Sequence, residues 1–344
     1  MSTTPTAQPP TLPPTLHILR LDPIHHPSPD FTPLPHPYTY AELSTPPPPA
    51  EELLPILHPA HILLTTRFPL SSTLLSQLPN LMHIAVIAIG TDHIDLEYCK
   101  QRNISVSHVP AASNEAVSEH ALALYFALRR NIVGMHELTS GGREWVQRGS
   151  LTGEFWGGLV GGLRREVVGI VGGGELGTRV ANLCRSLSMH VQISERPDHP
   201  PSLPSRPNRT PFPTILSTST ILFLTLPLTP STHNLLTYAQ LSLLPPTCLV
   251  INIARGGIVN ETDLVRVLQE GKIAGAATDV FEVEPAGEEN VLVKAAREDK
   301  RLRGRLILTP HVAWWGRSSV ERLREVSVRN VVGWVRGERE NRVV

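Results

Sequence analysis

A glycine-rich stretch, VVGIVGGGELGTRVANL at 167–183, is the first part of this 344-residue chain whose residue types could do chemistry. Gly172, Gly174 and Gly177 satisfy G-x-G-x-x-G between an apolar strand-like run and a helix-like run. In that setting the first glycine permits a tight turn, the second lets a pyrophosphate approach the backbone, and the third lets helix and strand pack closely. The N–H groups at the helix start would then receive the phosphates. The stretch predicts a dinucleotide site.

An acidic residue follows the next strand-like run, HVQIS, where such a site needs one. Glu195 lies about twenty residues beyond the glycines, at a position where a carboxylate can accept both ribose hydroxyls. A carboxylate there repels a 2′-phosphate, which favours NAD. Arg196, the next residue, would offset that repulsion. The sequence therefore predicts NAD and leaves NADP open as the cofactor.

Three further stretches place charged or titratable side chains directly after apolar strand-like runs. Arg255 follows CLVINIA, and Asp279 and Glu284 lie in TDVFEVEP. His311 lies in LTPHVAWW. The carboxyl ends of parallel strands are where ligands bind in open α/β sheets. We therefore expect these side chains to gather beside the dinucleotide.

The elements that must position these residues alternate along the chain. The strand-like runs, short and apolar as in sheets covered on both faces, are 16–21, 61–66, 83–89, 104–109, 166–172, 190–194, 221–227, 248–254, 275–280 and 306–310. The helix-like runs are 71–78, 116–130, 176–187, 261–271 and 318–336. This order predicts an α/β fold with two doubly wound parallel-sheet domains, a Rossmann-type cofactor domain and a flavodoxin-like substrate domain, with a cleft between them.

The domain boundaries follow from where the two sets of strands lie. Residues 1–12 are expected to be a disordered tail, and 133–311 to be the NAD-binding domain. Residues 13–132, joined by the returning C-terminal segment 312–344, are expected to form the substrate domain. Proline is concentrated before residue 60 and at 196–213, which favours extended chain without helix interiors, so the second cluster is predicted to be an inserted surface loop.

Composition excludes several classes of partner. Lys plus Arg and Asp plus Glu both number 31, so no overall field recruits nucleic acid or an anionic membrane. Three scattered cysteines, Cys99, Cys184 and Cys248, suit a reducing compartment. The N-terminus is not typical of a secretory signal, and the apolar runs are shorter than a membrane span. With no metal-ligand spacing in view, we expect a soluble cytoplasmic protein that binds no metal.

The motifs around Arg255, Glu284 and His311 resemble those of the D-isomer-specific 2-hydroxyacid dehydrogenase family, which carries A-R-G, D-V-F-x-x-E-P and T-P-H in that order. The segment 88–110 is similar to the family's substrate loop, and GGGELG, SERP and TPHVAW are similar to its glycerate dehydrogenase (hydroxypyruvate reductase) branch. The resemblance implies hydride transfer between nicotinamide and C2 of a small D-2-hydroxy acid or its 2-oxo partner, such as glyoxylate or hydroxypyruvate. Glu284, where formate dehydrogenases have Gln, argues against that activity.

The residue types fit what reduction of a 2-oxo acid needs. The planar guanidinium of Arg255 can hold the carboxylate and polarise the carbonyl. His311 can give a proton to the oxygen during reduction and accept one during oxidation. Glu284, if hydrogen-bonded to His311, would hold the ring and favour its protonated form.

Further contacts are implied by the resemblance. It assigns Asp279 to the nicotinamide carboxamide and the backbone N–H groups of Ile89 and Gly90 to the substrate carboxylate. It also implies a homodimer with 136–156 as its arm. The full set of predicted cofactor-binding residues is Gly172, Gly174, Glu175, Leu176, Gly177, Glu195, Pro227, Ile253 and Asp279, and the predicted substrate-binding set is Ile89, Gly90, Arg255 and His311. The charged segment after Glu284 is longer than is usual in the family and is expected to be a surface excursion.

A second class of function stays open at this point. A dinucleotide-sensing binding protein, of the kind found among corepressors that resemble this family, would keep the glycine loop without needing turnover. The proline-rich N-terminus could serve such a protein as a docking segment. Replacement of His311 would abolish turnover only in the enzyme.

Overall fold

The computed structural model describes residues 10–25, 27–156, 158–199 and 205–344. The chain divides into two compact units, one formed by Met1–Ser113 with Gly316–Val344 and the other by Asn114–Trp315. Most of the predicted tail, 1–12, lies outside the described residues, as do 200–204 of the predicted insertion.

The first unit is built on a five-stranded parallel sheet. Its strands are β1 (Leu16–Arg20), β2 (Tyr38–Glu42), β3 (Ile62–Thr65), β4 (His83–Val86) and β5 (Ser105–Ser107), in the spatial order β2-β1-β3-β4-β5. Its helices are α1 (Ala50–Leu57), α2 (Ser72–Leu75), α3 (Leu96–Gln101) and, from the C-terminus, α12 (Arg317–Val335). Every strand pair is parallel. The order 2-1-3-4-5 is that of flavodoxin-like folds.

Two elements of this unit lie in the proline-rich stretch where the sequence favoured extended chain without helix interiors. β2 is an edge strand whose residues are largely exposed, so it lacks the apolar run that marks the other strands. α1 contains Pro55, so the expectation that this stretch holds no helix interior was wrong. The burial of Leu53 and Leu57 against the sheet core supports the helix despite that proline.

The second unit is built on a six-stranded parallel sheet. Its strands are β6 (Val167–Val171), β7 (His190–Ile193), β8 (Ile221–Leu224), β9 (Leu249–Asn252), β10 (Gly275–Thr278) and β11 (Leu306–Leu308), in the order β11-β10-β9-β8-β6-β7. Its helices are α4 (Asn114–Arg129), α5 (Ile132–Ser140), α6 (Glu144–Arg148), α7 (Glu175–Ser186), α8 (Phe212–Thr218), α9 (Tyr238–Leu241), α10 (Glu261–Gln269) and α11 (Val291–Glu298). The order reverses at β6, with β7 on one side and β8 on the other, which is the switch point where ligands bind in such sheets.

The unit boundaries differ from the expected ones because α4 belongs to the second unit. Ala121, Leu124 and Leu128 of α4 are buried in one apolar cluster with Val168 and Ile251 of the sheet. The division therefore falls at 113/114 and 315/316, where the sequence had suggested 132/133 and 311/312. The apolar face of a helix fixes which sheet it covers, and the sequence pattern of α4 does not say which sheet that is.

The segment after Glu284 is not the surface excursion that was expected. The side chain of Asn290 accepts hydrogen bonds from the N–H groups of Leu292 and Val293 and so caps the start of α11. Leu292 and Leu302 are buried in the main core of this unit. The segment is a packed helix and covers one face of the sheet. None of the helices in the described part of the chain is long and apolar enough to cross a membrane.

Candidate active site

The glycine loop lies between β6 and α7, at the switch point of the sheet. Gly172 has φ +108, and a β-carbon there would lie 2.6 Å from the carbonyl carbon of Thr225. A β-carbon on Gly177 would lie 2.0 Å from the main-chain oxygen of Gly172. Gly174 is the N-cap residue of α7, is exposed, and has no atom within 4 Å of its β-carbon position. Two glycines thus permit close backbone packing, and the third leaves open space at a helix N-terminus that fits a pyrophosphate.

Glu195 follows β7 as predicted, and its carboxylate is paired with an arginine side chain. The residue is 2% exposed. Its oxygens accept hydrogen bonds from the main-chain N–H groups of Arg196 and Arg206 at 2.9 and 2.8 Å, and from Nε and Nη2 of the Arg206 guanidinium. The hydrogen bonds from Arg206 lower the pKa of Glu195 to about 2. This carboxylate is therefore covered by an arginine of the 196–213 insertion, and its contact with a ribose stays a prediction.

The turn that carries Arg255 is fixed by the side chain of Asn252. Asn252, the last residue of β9, accepts a hydrogen bond from the Ala254 N–H at 3.1 Å and donates one to the Arg255 carbonyl at 2.9 Å. The Arg255 side chain is half-buried, and its Nη1 donates to the Ala254 carbonyl at 2.8 Å. Gly256 lies against the main chain of Phe281. The loop after β9 therefore touches the loop after β10.

Glu284 and His311 meet from two different strand ends. The distance between Nδ1 of His311 and Oε2 of Glu284 is 2.6 Å, so Nδ1–H donates to the carboxylate. The other oxygen, Oε1, accepts from the Phe281 N–H at 2.9 Å, which orients the carboxylate. His311 is 42% exposed. With Nδ1 engaged, Nε2 is the nitrogen that a substrate can reach.

The charge state of this pair follows from its surroundings. Partial burial opposes ionisation of Glu284. The hydrogen bonds from His311 and the Phe281 main chain, with the positive charges of His311 and Arg255, outweigh it and lower the pKa of Glu284. Glu284 is therefore ionised at neutral pH. The charges of His311 and Arg255 both stabilise its carboxylate.

Asp279 holds the backbone that presents His311. It is 1% exposed, and its carboxylate accepts from the Thr309 hydroxyl at 2.6 Å, the Val312 N–H at 3.0 Å and the Ala313 N–H at 2.9 Å. The His311 N–H donates to the Asp279 carbonyl at 2.7 Å. These bonds stabilise the left-handed conformation of His311, whose φ is 53. The contact of Asp279 with the nicotinamide carboxamide stays a prediction.

The other predicted residues lie in several places. Glu175 and Leu176 begin α7, Pro227 follows β8, and Ile253 is buried directly after β9. Ile89 and Gly90 follow β4 in the first unit, where the Ile89 carbonyl lies 2.8 Å from Nδ1 of His108. Arg255, Asp279, Glu284 and His311 therefore lie in the second unit, and Ile89 and Gly90 lie in the first.

Several positioning residues carry no motif that sequence reasoning could have used. His120 of α4 places Nε2 3.1 Å from the Thr309 hydroxyl. Glu261 of α10 accepts from the Glu282 N–H at 2.8 Å and from the Asn290 amide at 2.7 Å, which holds the loop after Glu284. Arg206 is the third such residue, since only the fold brings it to Glu195. Among the residues described, no group of three or more His, Cys, Asp or Glu side chains could hold a metal ion.

Comparisons with known proteins identify the family of this site. The family model for the NAD-binding domain of D-isomer specific 2-hydroxyacid dehydrogenases matches residues 122–313. The chain belongs to the D-isomer specific 2-hydroxyacid dehydrogenase family. The glycerate dehydrogenase of Methylorubrum extorquens is 32% identical to it over 307 residues, which cover 89% of this chain and 92% of the relative. The glyoxylate reductase of Thermofilum pendens is 31% identical, with 85% of this chain and 83% of the relative covered.

A solved structure shows the same architecture in this dehydrogenase family. The crystal structure of D-lactate dehydrogenase from Aquifex aeolicus, complexed with NAD and lactic acid, matches with a TM-score of 0.73 at 28% identity and covers 95% of this chain and 99% of that one. The comparisons confirm the predicted family, the two parallel α/β units and the NAD cofactor. The 2-hydroxyacid dehydrogenase is an NAD-dependent oxidoreductase.

Proposed function

We propose that this dehydrogenase interconverts a short 2-oxo acid and its D-2-hydroxy acid, with glyoxylate and hydroxypyruvate as the substrates that it reduces. The single observation that carries the proposal is the 2.6 Å hydrogen bond between His311 and Glu284, with the charge of Arg255 acting on the same carboxylate. The relatives named glycerate dehydrogenase and glyoxylate reductase support the substrate class. A protein that only senses a dinucleotide has no need of a proton-transfer pair.

The chain's own residues would do the following during reduction. Bound NADH supplies the hydride that reaches C2 of the 2-oxo acid. Arg255 binds the substrate carboxylate and polarises the carbonyl, because its planar guanidinium offers paired donors. His311 donates its Nε2 proton to the carbonyl oxygen, and Glu284 stabilises the positive charge of the ring before transfer. In the oxidative direction neutral His311 accepts that proton.

The remaining contacts are proposals of the same kind. Gly172, Gly174 and Gly177, with Glu175 and Leu176 at the start of α7, would hold the pyrophosphate. Pro227, Ile253 and Asp279 would line the nicotinamide end, with Asp279 receiving the carboxamide N–H. The backbone N–H groups of Ile89 and Gly90 would bind the substrate carboxylate alongside Arg255.

The test is a substrate panel with purified protein. Glyoxylate, hydroxypyruvate, pyruvate and a bulky branched 2-oxo acid are each supplied with NADH and with NADPH, and oxidation of the nicotinamide is followed by absorbance. We expect the highest kcat/KM with glyoxylate or hydroxypyruvate and a D-configured product from hydroxypyruvate. Tight NADH binding without turnover of any 2-oxo acid would overturn the proposal in favour of a sensing protein.

We further propose that the enzyme is a homodimer that works in the cytoplasm. The segment 136–156 and the helix that leads into it expose Ile132, Trp145 and Val146, and the last of these is 84% exposed. Apolar side chains displayed in this way are typical of an association surface. Cys99, Cys184 and Cys248 are buried thiols, which suits a reducing compartment. Light scattering of wild type against Val146→Asp tests the dimer, and a monomeric wild type would contradict it.

A further inference from the structure

The loop that follows β4 is held by its carbonyl oxygens. The Ala88 carbonyl accepts a hydrogen bond from the Val109 N–H at 2.9 Å. The Ile89 carbonyl lies 2.8 Å from Nδ1 of His108. Because a carbonyl oxygen only accepts, Nδ1 carries a proton and donates it to this bond. Two consecutive carbonyls are therefore fixed by the segment that directly follows β5.

The N–H groups of the same two peptide groups are left for a ligand. Among the residues that the structure describes, the N–H groups of Ile89 and Gly90 donate to no protein atom. The Gly90 N–H belongs to the peptide group whose carbonyl accepts from His108, and the Ile89 N–H to the one whose carbonyl accepts from Val109. A peptide group is planar, so a restraint on its carbonyl also restrains the direction of its N–H. The two donors are thus oriented from behind.

His108 is itself held at both ends of its main chain. Its N–H donates to the Asn341 carbonyl at 3.1 Å, and its carbonyl accepts from Nδ2 of Asn330 at 2.8 Å. Nδ2 of Asn341 in turn donates to Oδ1 of Asn330 at 2.8 Å. Asn330 lies on α12 and is 3% exposed. The imidazole therefore reaches the Ile89 carbonyl from a backbone that has little freedom to move.

We propose that His108 is a positioning residue for the substrate carboxylate: its Nδ1–H orients the peptide group between Ile89 and Gly90 so that the Gly90 N–H points at a carboxylate oxygen. The inference rests on the proposed function, which supplies the 2-oxo acid as the ligand. Hydrogen bonds from N–H groups to a carboxylate are charge-assisted and depend on direction. The carboxylate is bound before and during hydride transfer, so a misdirected N–H should raise KM and leave kcat nearly unchanged.

Substitutions at this position can keep or remove the donor. Nδ2 of an asparagine is attached to Cγ, as Nδ1 of histidine is, so His108→Asn keeps a donor at the same place. His108→Leu keeps apolar bulk and removes the donor. We expect KM for glyoxylate and for hydroxypyruvate to rise about tenfold in His108→Leu, with kcat within about threefold, and both constants to stay within about threefold of wild type in His108→Asn. His108→Ala also lacks the donor and tests the inference if His108→Leu does not fold.

The matched control is another histidine that bonds a main-chain carbonyl in the same unit. Nε2 of His36 lies 2.7 Å from the Pro13 carbonyl. These two residues precede β2 and β1, and the strands are parallel, so they lie at the opposite edge of the sheet from the loop after β4. His36→Leu should lower stability in urea unfolding and leave both values of KM within about twofold of wild type.

Binding without turnover provides a second measurement. Oxamate has the carboxylate and carbonyl of a 2-oxo acid, and calorimetry gives its dissociation constant with the NADH-loaded protein. We expect oxamate to bind about tenfold more weakly to His108→Leu than to wild type and to recover in His108→Asn. NADH itself should bind all variants within about twofold, because the glycine loop belongs to the other unit.

The outcomes distinguish this inference from the proposed function. Wild-type KM in His108→Leu and His108→Ala, or an equal loss in His108→Asn and His108→Leu, would overturn the role of His108 while the reaction stands. Oxamate binding that follows the donor in a protein that reduces no 2-oxo acid would uphold the role and overturn the reaction. A wild type that neither reduces a 2-oxo acid nor binds oxamate would overturn both.

Discussion

A β-carbon placed on Gly256 would lie 1.8 Å from the main-chain oxygen of Phe281. This contact presses the turn that carries Arg255 against the loop that carries Glu284. Close packing of this kind is possible only because glycine has no side chain. The distance between two of the three predicted catalytic groups therefore depends on a residue with no chemistry of its own.

Substitution of this glycine should impair both folding and activity. In Gly256→Ala the backbone of one loop must move, which we expect to lower the free energy of unfolding by about 1–3 kcal/mol and kcat/KM by roughly 100-fold. Gly287→Ala is the matched control, since nothing lies within 4 Å of its β-carbon position. Urea unfolding and steady-state kinetics measure the two effects. Wild-type kinetics in Gly256→Ala would show that the loops tolerate separation.

Replacement of the proposed acid should separate chemistry from binding. His311→Gln removes the group that exchanges a proton with the substrate oxygen, and kcat should fall by about 10²–10⁴ because general acid catalysis contributes that much. The dissociation constant of NADH should stay within about twofold, since His311 lies outside the glycine loop. Stopped-flow kinetics measures kcat, and fluorescence titration measures the dissociation constant of NADH. A variant that keeps its kcat would require a different proton donor.

Removal of the Glu284 charge should change the pH dependence of the rate. Because the pKa of Glu284 is lowered from 4.5, the carboxylate is ionised across the neutral range and supports the protonated imidazole there. Glu284→Gln is nearly isosteric and loses that support, so the reductive pH profile should move to lower pH and kcat at pH 7.5 should fall by roughly tenfold or more. Glu282→Gln, half-exposed two residues earlier, is the control and should keep the wild-type profile. An unshifted profile in Glu284→Gln would remove this residue from the proton-transfer pair.

The first unit should lose stability in mild acid through one buried histidine. His83 of β4 is stacked on Trp334 with ring centroids 5.0 Å apart, and Nε2 lies 3.1 Å from the Ser107 hydroxyl. Burial lowers the pKa of His83 from 6.5 to about 3. The folded state therefore favours the neutral form of the His83 ring. The stability that the neutral His83 ring gives the folded state is complete above pH 6.5. It is lost as the pH falls toward 3, by up to about 1.4 kcal/mol per pH unit.

The measurement is urea unfolding of wild type and His83→Gln between pH 7.5 and 4. The variant should be less stable at pH 7.5 because packing on Trp334 is lost, and its stability should fall less steeply with acid. His58→Gln, an exposed histidine of the same unit, should keep the wild-type slope. Equal slopes in wild type and His83→Gln would mean that other groups dominate the acid transition.

The corrected expectations share a physical cause. The sequence did not predict β2, because an exposed edge strand needs no apolar run. It assigned α4 to the first unit, because an apolar helix face does not show which of two sheets the helix packs against. The covering of Glu195 by Arg206 was not predicted, since the two residues are joined by a long proline-rich connection with no periodic pattern. In each case the deciding contact is between residues distant in the chain.

The sequence by itself determined the parallel sheets and the glycine loop, and it predicted Arg255, Glu284 and His311 as the catalytic residues, because short-range patterns and residue chemistry carry that information. Only the tertiary structure decided that Nδ1 of His311 pairs with Glu284 and that Arg206 cancels the charge of Glu195. Such pairings depend on where strand ends and loops meet in space, and therefore on packing that the pattern along the chain does not record.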